Sequence, residues 1–191
     1  MLRKVLFFLV LFIPLCLWGQ KTIDPKIDDG IDSLLVQGDF FRKEKRDYDS
    51  AIQIYESAAA LSAEKFGKES AEYAQSLYRI ALGYYRLDRV KSADYFDRAQ
   101  QVYVLFGDEY TDQTIKSLYN CSLINFYENN YDFSLEYAYK VLELKKNVSQ
   151  IQNKSIKIIY DILSVEYKYE ECLAILESRK DAEIFKYNFD F

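Results

Sequence analysis

The sequence repeats itself with a period of about 41 residues, and this restricts the possible folds more than any other feature of the chain. Ser76-Leu77-Tyr78 returns as Ser117-Leu118-Tyr119, and Tyr160 continues the series at the same interval. A fixed period of this length is typical of repeat proteins, in which one small structural unit is stacked on the next. The chain of 191 residues has room for about four such units.

A second series with the same period lies between the members of the first. Tyr55 returns as Phe96 and Ala58 as Ala99, again one period later. Two interleaved series with one period indicate two structural elements in each repeat. Apolar residues recur every three or four positions along the chain, which is the spacing of one face of an α-helix. Each repeat is therefore predicted to be a helical hairpin.

The low content of proline and glycine points the same way. Pro25 is the only proline after residue 19, and five glycines are spread over the same part of the chain. β-Sandwiches and barrels need frequent turns, which are rich in these two residues. Half of the residues are hydrophobic and 17% are aromatic, so the chain has ample apolar surface to bury. We therefore predict an all-α fold.

Two short segments that share a Phe-Gly pair mark the predicted joints between repeats. They are the segments 65–69 and 105–109, which contain Gly67 and Gly107. Each glycine stands where the second helix of a hairpin is predicted to end. Glycine adopts the left-handed backbone conformation at such ends without a steric penalty. We expect the left-handed helical conformation, with a positive φ, at both glycines.

The predicted second helices share a frame of small and aromatic residues. Tyr48-x-x-Ala51-x-x-x-Tyr55-x-x-Ala58 returns in part as Ser92-x-x-x-Phe96-x-x-Ala99. Small residues let the two helices of a hairpin touch closely, and the aromatic ring fills the gap one turn further on. This frame resembles the second helix of a tetratricopeptide repeat (TPR). The long period with its Phe-Gly joint is similar to the repeats of kinesin light chains and their bacterial relatives. HEAT-like hairpins share the period and remain the alternative.

The TPR resemblance implies a right-handed α-solenoid of about four hairpins over residues 31–191, with repeats at about 31–66, 67–108, 109–148 and 149–191. In this family the first helix of each repeat lines a concave groove for a peptide or protein segment. An aromatic strip on the face of these helices that is expected to stay out of the hairpin contact is the candidate protein-binding site. Its members are Tyr78, Leu82, Tyr85, Tyr119, Leu123, Phe126 and Tyr160.

Residues 1–19 have the layout of a secretory signal peptide. Arg3 and Lys4 precede an apolar run of fourteen residues, which is too short to span a bilayer, and cleavage is expected after about Gly19. A polar leader at 20–30 follows. This ending resembles signal peptides of the Bacteroidota and predicts an exported protein, periplasmic or associated with the cell envelope. An uncleaved membrane anchor and a lipidated Cys16 are the alternatives.

The net charge of −5 makes nucleic acid an unfavourable partner. Loss of the signal peptide would leave 23 basic and 30 acidic side chains, and the one basic cluster, at 42–46, is interrupted by Glu44. We expect no membrane insertion after cleavage. Two cysteines would remain, Cys121 and Cys172. Both lie in apolar helical patterns, where a free cysteine often serves as a small buried hydrophobic residue, but a disulfide between them stays open.

The sequence lacks the motifs of common catalytic and cofactor sites. It contains no histidine, which excludes Ser-His-Asp triads and histidine-based zinc sites. It also contains no Gly-x-x-x-x-Gly-Lys loop, no Gly-x-Gly-x-x-Gly turn and no Cys-x-x-Cys pair. The carboxylates are scattered, as on solvated helix faces. We therefore predict a protein that is not an enzyme, with no catalytic residue, metal or cofactor.

These observations favour a non-catalytic scaffold or adaptor in the cell envelope, which binds a protein or peptide segment in the concave groove. One alternative is the input or sensor half of a larger signalling or peptidase system. Another is a glycan-binding module, in which the aromatic strip stacks on sugar rings. The aromatic residues Tyr187, Phe189 and Phe191 are a candidate surface for self-association.

Overall fold

The computed structural model describes residues 30–144 and 150–166, together with positions 168, 170, 171, 174 and 177. Seven α-helices lie in residues 30–144 and 150–166, and the described part of the chain contains no β-strand. The helices are α1 (Ile31–Phe40), α2 (Tyr48–Phe66), α3 (Ala71–Tyr84), α4 (Arg89–Tyr103), α5 (Thr111–Tyr127), α6 (Tyr131–Glu143) and α7 (Gln150–Val165). A π-helical turn (Phe41–Lys45) follows α1, and a 3₁₀ segment (Val104–Tyr110) links α4 to α5. The prediction of an all-α fold is confirmed.

Short polar side chains fix where three of the helices begin. The carboxylate of Asp47 accepts a hydrogen bond from the backbone N–H of Ser50 at 3.1 Å, and Asp88 caps α4 in the same way at 3.0 Å. The hydroxyl of Ser70 accepts from the N–H of Tyr73 at 3.2 Å at the start of α3. Each cap satisfies an N–H group that has no partner within its helix.

The two Phe-Gly joints have the predicted positive φ, but not the left-handed helical conformation that the sequence predicts. Gly67 has φ 88° and Gly107 has φ 59°, so both are positive as expected. Their ψ values are 166° and −133°, outside the left-handed helical region and in a region that is open almost only to glycine. These joints therefore depend on glycine more strictly than a left-handed helix cap, at which asparagine is also tolerated.

Successive helices pack as antiparallel hairpins, because small residues let their backbones approach. Ser92 on α4 is fully buried, and its hydroxyl donates to the carbonyl oxygen of Ala81 on α3 at 2.8 Å. In the next hairpin, Ser122 and Ser134 each donate to the other's carbonyl oxygen, at 3.0 and 2.9 Å. Side-chain hydroxyls thus tie the two helices of a hairpin together at the point of closest contact.

The frame of the second helices forms the core, as the sequence predicts. Tyr55, Ala58, Phe96 and Ala99 are all 0% exposed. Cys121 is also 0% exposed and is a free thiol, which confirms its interpretation as a small buried residue. Helices that are neighbours in the chain pack against each other throughout, and α5 also contacts α7. The described chain is thus three complete hairpins and the first helix of a fourth.

Several predictions concern segments outside the described residues. They are the signal peptide at 1–19 with Cys16, the leader up to residue 29, Cys172, and the aromatic residues Tyr187, Phe189 and Phe191. These stay predictions. Over the described residues, no helix is both long and apolar enough to cross a membrane.

Candidate partner-binding groove

A groove of about 500 Å³ lies between α3 and α5, the first helices of two successive hairpins. The N-terminal half of α3 forms one wall, α5 forms the other, and residues from the α4–α5 connection close one side. The lining residues are Ala71, Glu72, Gln75, Tyr78, Arg79, Tyr103, Tyr110, Gln113 and Lys116. Polar and charged side chains thus alternate with tyrosine rings along the groove.

Three tyrosines give the groove a rigid aromatic part. Tyr103 is only 3% exposed and stacks on Tyr110, with ring centroids 5.6 Å apart and an angle of 13° between the rings. The ring of Tyr78 packs edge-on against Phe96, with centroids 5.1 Å apart. Burial raises the pKa of both the Tyr78 and the Tyr103 hydroxyls. These groups therefore stay protonated at neutral pH and can donate hydrogen bonds.

Arg79 is held in place by a carboxylate from the preceding repeat. Its Nη1 lies 3.0 Å from Asp39 Oδ2, and the Asp39 carboxylate also accepts a hydrogen bond from the Tyr55 hydroxyl at 2.6 Å. The ion pair links α1 to α3, and it orients the arginine along the wall of the groove.

Two buried polar atoms of the groove residues have no hydrogen-bond partner in the described part of the chain. They are Nε of Arg79, a donor, and Oε1 of Gln113, an acceptor. An unpaired buried polar group costs about 1–3 kcal/mol. A peptide unit offers one acceptor and one donor, so it can satisfy both atoms. Both atoms lie below the surface, so pairing with a ligand requires a rotation of the two side chains.

The seven predicted strip residues are all half-buried, but the structure does not gather them in one groove. Tyr78 lines the groove between α3 and α5, whereas Tyr85 lines a separate cleft beside the α3–α4 turn. Tyr119 packs against the core between α5 and α6, and Tyr160 packs against that between α6 and α7. Leu82 packs beside Phe96, Phe126 contacts the rings of Tyr127 and Tyr131, and Leu123 lies on α5.

The expectation that this face stays out of the hairpin contact is wrong for Tyr78, Tyr119 and Phe126, and the ring of Phe126 contacts Tyr131 on α6, the second helix of its own hairpin. Tyr78 meets Phe96 on α4, the second helix of its own hairpin, and Tyr119 packs in the cluster that contains Val141 of α6. Both tyrosines follow a buried leucine in the sequence. They therefore lie at the border between the helix face that packs in the hairpin and the face that was expected to stay outside it. A tyrosine side chain at this border is long enough for its ring to reach into the interface between the two helices. This position is favourable because it removes apolar surface from water. Their role in binding stays a prediction.

The polar residues of the groove are not among the predicted site residues, although the repeat pattern of the sequence contains a signal for them. Glu72 and Gln113 are separated by one repeat period, as are Gln75 and Lys116, and all four line the groove. The signal is that polar residues occupy equivalent repeat positions on the first helices, whereas the predicted site was chosen from aromatic and aliphatic residues alone.

The described residues contain no group of three or more cysteine, aspartate or glutamate side chains placed to hold a metal ion. Cys121 donates a weak hydrogen bond to the carbonyl oxygen of Ala93, and burial raises the pKa of its thiol above the usual range. A thiol that is buried and protonated is a poor nucleophile.

Comparison with solved structures identifies the fold. The structure of BtubC (BKLC) from P. vanneervenii aligns with a TM-score of 0.66 and 14% identity, over 79% of this chain and 62% of that chain. A kinesin light chain protein with nearly identical TPR-like repeats, from Podosopora anserina, aligns with a TM-score of 0.65 and 10% identity, over 88% and 82%. The chain thus spans less than two thirds of the length of BtubC.

These alignments confirm the predicted TPR-like α-solenoid, of the kind found in kinesin light chain repeats. No protein-family model matches the sequence, and no curated protein matches it. At 10–14% identity, the likeness concerns the fold alone.

Proposed function

We propose that this protein is a non-catalytic scaffold that binds an extended segment of a partner protein in the groove between α3 and α5. TPR-like repeats generally serve protein–protein interaction, and the stacking of hairpins produces long concave surfaces suited to it. The observation that carries the proposal is the groove itself. It combines fixed tyrosine rings with a spare donor on Arg79 and a spare acceptor on Gln113.

The composition of the groove fits a peptide better than a small apolar ligand. The half-buried rings of Tyr78 and Tyr110 supply aromatic surface at a low cost in side-chain entropy. Gln75, Gln113 and Lys116 supply hydrogen-bond donors and acceptors along the walls. An extended peptide presents both groups in each residue, and it would follow the length of the groove.

The proposal is tested by panning a random peptide display library against residues 20–191. We expect selected peptides to bind the unaltered protein, and to lose at least fivefold in affinity when Lys116→Glu reverses one charge in the groove. Lys116 is exposed, so the substitution should leave the fold intact. Arg86→Glu, on the exposed α3–α4 turn, makes the same change of charge elsewhere. Peptides that bind both variants equally well would place the binding surface outside the groove.

We also propose that the protein is exported and acts in the cell envelope. The layout of residues 1–19 supports this, with a basic start and an apolar run of signal-peptide length. The test joins residues 1–30 to alkaline phosphatase, which becomes active only after export. We expect active enzyme whose intact mass shows a new N-terminus near Gln20. Inactive phosphatase, or a product that keeps residues 1–19, would contradict export with cleavage.

A further inference from the structure

We infer that a cleft between the two Phe-Gly joints binds an arginine or lysine side chain of the partner segment. The cleft has a volume of about 410 Å³, and residues from both joints line it. The inference rests on the proposed function, because the cleft adjoins the groove described above and shares lining residues with it. The inference specifies that the partner segment carries a positively charged side chain at one position.

Aromatic rings form the walls of this joint cleft. Phe66 comes from the first joint and Phe106 from the corresponding place in the second. Tyr110 stands beside Phe106, with ring centroids 5.3 Å apart and an angle of 55° between the rings. The faces of aromatic rings attract cations, and the effect grows as water is excluded. The alkyl part of a long basic side chain would at the same time bury apolar surface against these rings.

Carboxylates give the cleft a negative charge. Glu69, Glu72 and Glu109 line it, and Lys65 is the only basic side chain among the described residues of its lining. The N-termini of α3 and α5 lie nearby and each contributes about half a positive elementary charge. Three negative charges outweigh these contributions together with that of Lys65. The negative charges of Glu109 and Glu72 also help to raise the pKa of the Tyr110 hydroxyl, although burial is the larger cause.

The joint cleft adjoins the groove. Ala71, Glu72 and Tyr110 line both cavities. A peptide that lies along the groove would therefore pass the mouth of the cleft, and one of its side chains could enter. Apart from the adjoining residues of the chain, no atom lies within 4 Å of the position that a side chain would take at Gly67 or Gly107, so the backbone beside the cleft is open.

The test uses single capped amino acids, so that it does not depend on a peptide partner. Nα-acetyl-arginine N-methylamide is titrated to 50 mM into ¹⁵N-labelled protein, residues 20–191, and amide shifts are followed by NMR. We expect saturable shifts at Gly67 and Gly107 and none at Gly83. The norleucine analogue, which has similar length but no charge, should bind about three- to fivefold more weakly. The glutamate analogue should not bind.

Variants of the cleft separate charge from shape. Glu69→Gln with Glu109→Gln keeps the side-chain size and removes two charges from exposed positions, and it should weaken arginine binding about fivefold. Glu56→Gln, an exposed position on α2, should have no effect. Phe66→Leu keeps an apolar wall without the ring and should weaken binding about threefold. Thermal unfolding of each variant verifies that it is folded.

Two results would overturn the inference. One is the absence of any saturable shift at Gly67 and Gly107 up to 50 mM arginine analogue. The other is equal binding of the arginine and norleucine analogues, which would identify an apolar cleft without charge preference. Lys116→Glu lies in the groove and should leave binding of the capped arginine within twofold. Failure of the joint cleft is therefore distinguishable from failure of the groove, which the peptide selection measures separately.

Discussion

At the scale of single residues, Asp39 is the most connected charged group in the described part of the chain. Its carboxylate accepts hydrogen bonds from Tyr55 at 2.6 Å, Lys43 at 3.0 Å and Arg79 at 3.0 Å. Burial opposes ionisation of Asp39, but these bonds and the charge of Arg79 outweigh it and hold its pKa below the ordinary 3.8. Burial and the bond to Asp39 raise the pKa of Tyr55 to about 12, so the tyrosine remains a donor.

We predict that Asp39→Asn destabilises the protein by about 2 kcal/mol at pH 7, because it leaves Arg79 without its carboxylate and weakens the bond from Tyr55. The pKa of Asp39 is lower in the folded protein than in the unfolded chain. Its contribution is therefore fully present above the unfolded pKa near 4 and is lost as the pH falls through the folded pKa. Urea unfolding at pH 7 and at pH 2.5 measures the difference.

The control for this prediction is Asp94→Asn. Asp94 is exposed and pairs with Arg98 within one turn of α4, at 3.5 Å. Such surface pairs contribute less than about 1 kcal/mol. If Asp39→Asn costs as much at pH 2.5 as at pH 7, the loss arises from packing, and the ionised carboxylate is not its cause.

At the scale of elements, the sequence predicts the hairpins well, but it does not predict the conformation of the connection between the two helices of each hairpin. The buried small residues Ala81 and Ser92 are 11 positions apart, whereas Ser122 and Ser134 are 12 apart. The first hairpin contains a π-helical turn at Phe41–Lys45, which no pattern in the sequence indicates. Connections of different length preserve the helix contact, because backbone strain in a turn is small compared with the loss of core packing.

Glycine within helices is a second feature that the sequence pattern left unexplained. Gly83 lies in α3, where alanine would be the better helix former by about 1 kcal/mol. A Cβ at this position would lie 2.5 Å from Cγ1 of Ile52 on α2. The glycine thus allows the hairpin α3–α4 to pack on the preceding hairpin. The reason for a glycine at this position therefore lies in Ile52, which belongs to that preceding hairpin.

We predict that Gly83→Ala destabilises the protein by about 1–3 kcal/mol, despite the gain in helix propensity, because Ile52 must move. Ile52→Ala removes Cγ1 and should make Gly83→Ala nearly neutral. A double-mutant cycle of unfolding free energies should therefore give a coupling of at least about 1 kcal/mol. Gly38→Ala would instead clash with Tyr55, so the same cycle between Gly38 and Ile52 should give no coupling. Additive effects of Gly83→Ala and Ile52→Ala would contradict the clash.

At the scale of the whole molecule, polar links between successive repeats accompany the apolar stack. Asp97 accepts a hydrogen bond from Tyr137 at 2.8 Å, and Arg89 forms an ion pair with Glu128 at 3.0 Å. These partners are 40 and 39 positions apart, close to the repeat period. The repeat period therefore predicts which residues of successive repeats are neighbours. It does not predict which side chains form a groove, because the burial of a side chain depends on its size and on the conformation of the neighbouring turn.

The array is predicted to lose stability locally when its middle is weakened. Phe96 is 0% exposed and packs with Ala81 of its own hairpin and with Cys121 and Ile124 of the next. Phe96→Ala should cost about 3–5 kcal/mol, because it leaves a cavity between two repeats. Phe133→Ala removes the same side chain from a site that is 61% exposed and should change stability by less than about 0.5 kcal/mol.

Hydrogen exchange shows how far the damage spreads. In a stack in which each hairpin contacts only its neighbours, stability is a sum of hairpin and interface contributions. Phe96→Ala should therefore lower the protection of amides in α3, α4 and α5 at least tenfold, with a smaller loss in α1 and α2. An equal loss of amide protection from α1 to α7 would mean that the array unfolds as one cooperative unit. The repeats would then be visible in the sequence and the packing, but they would not be separate units of stability.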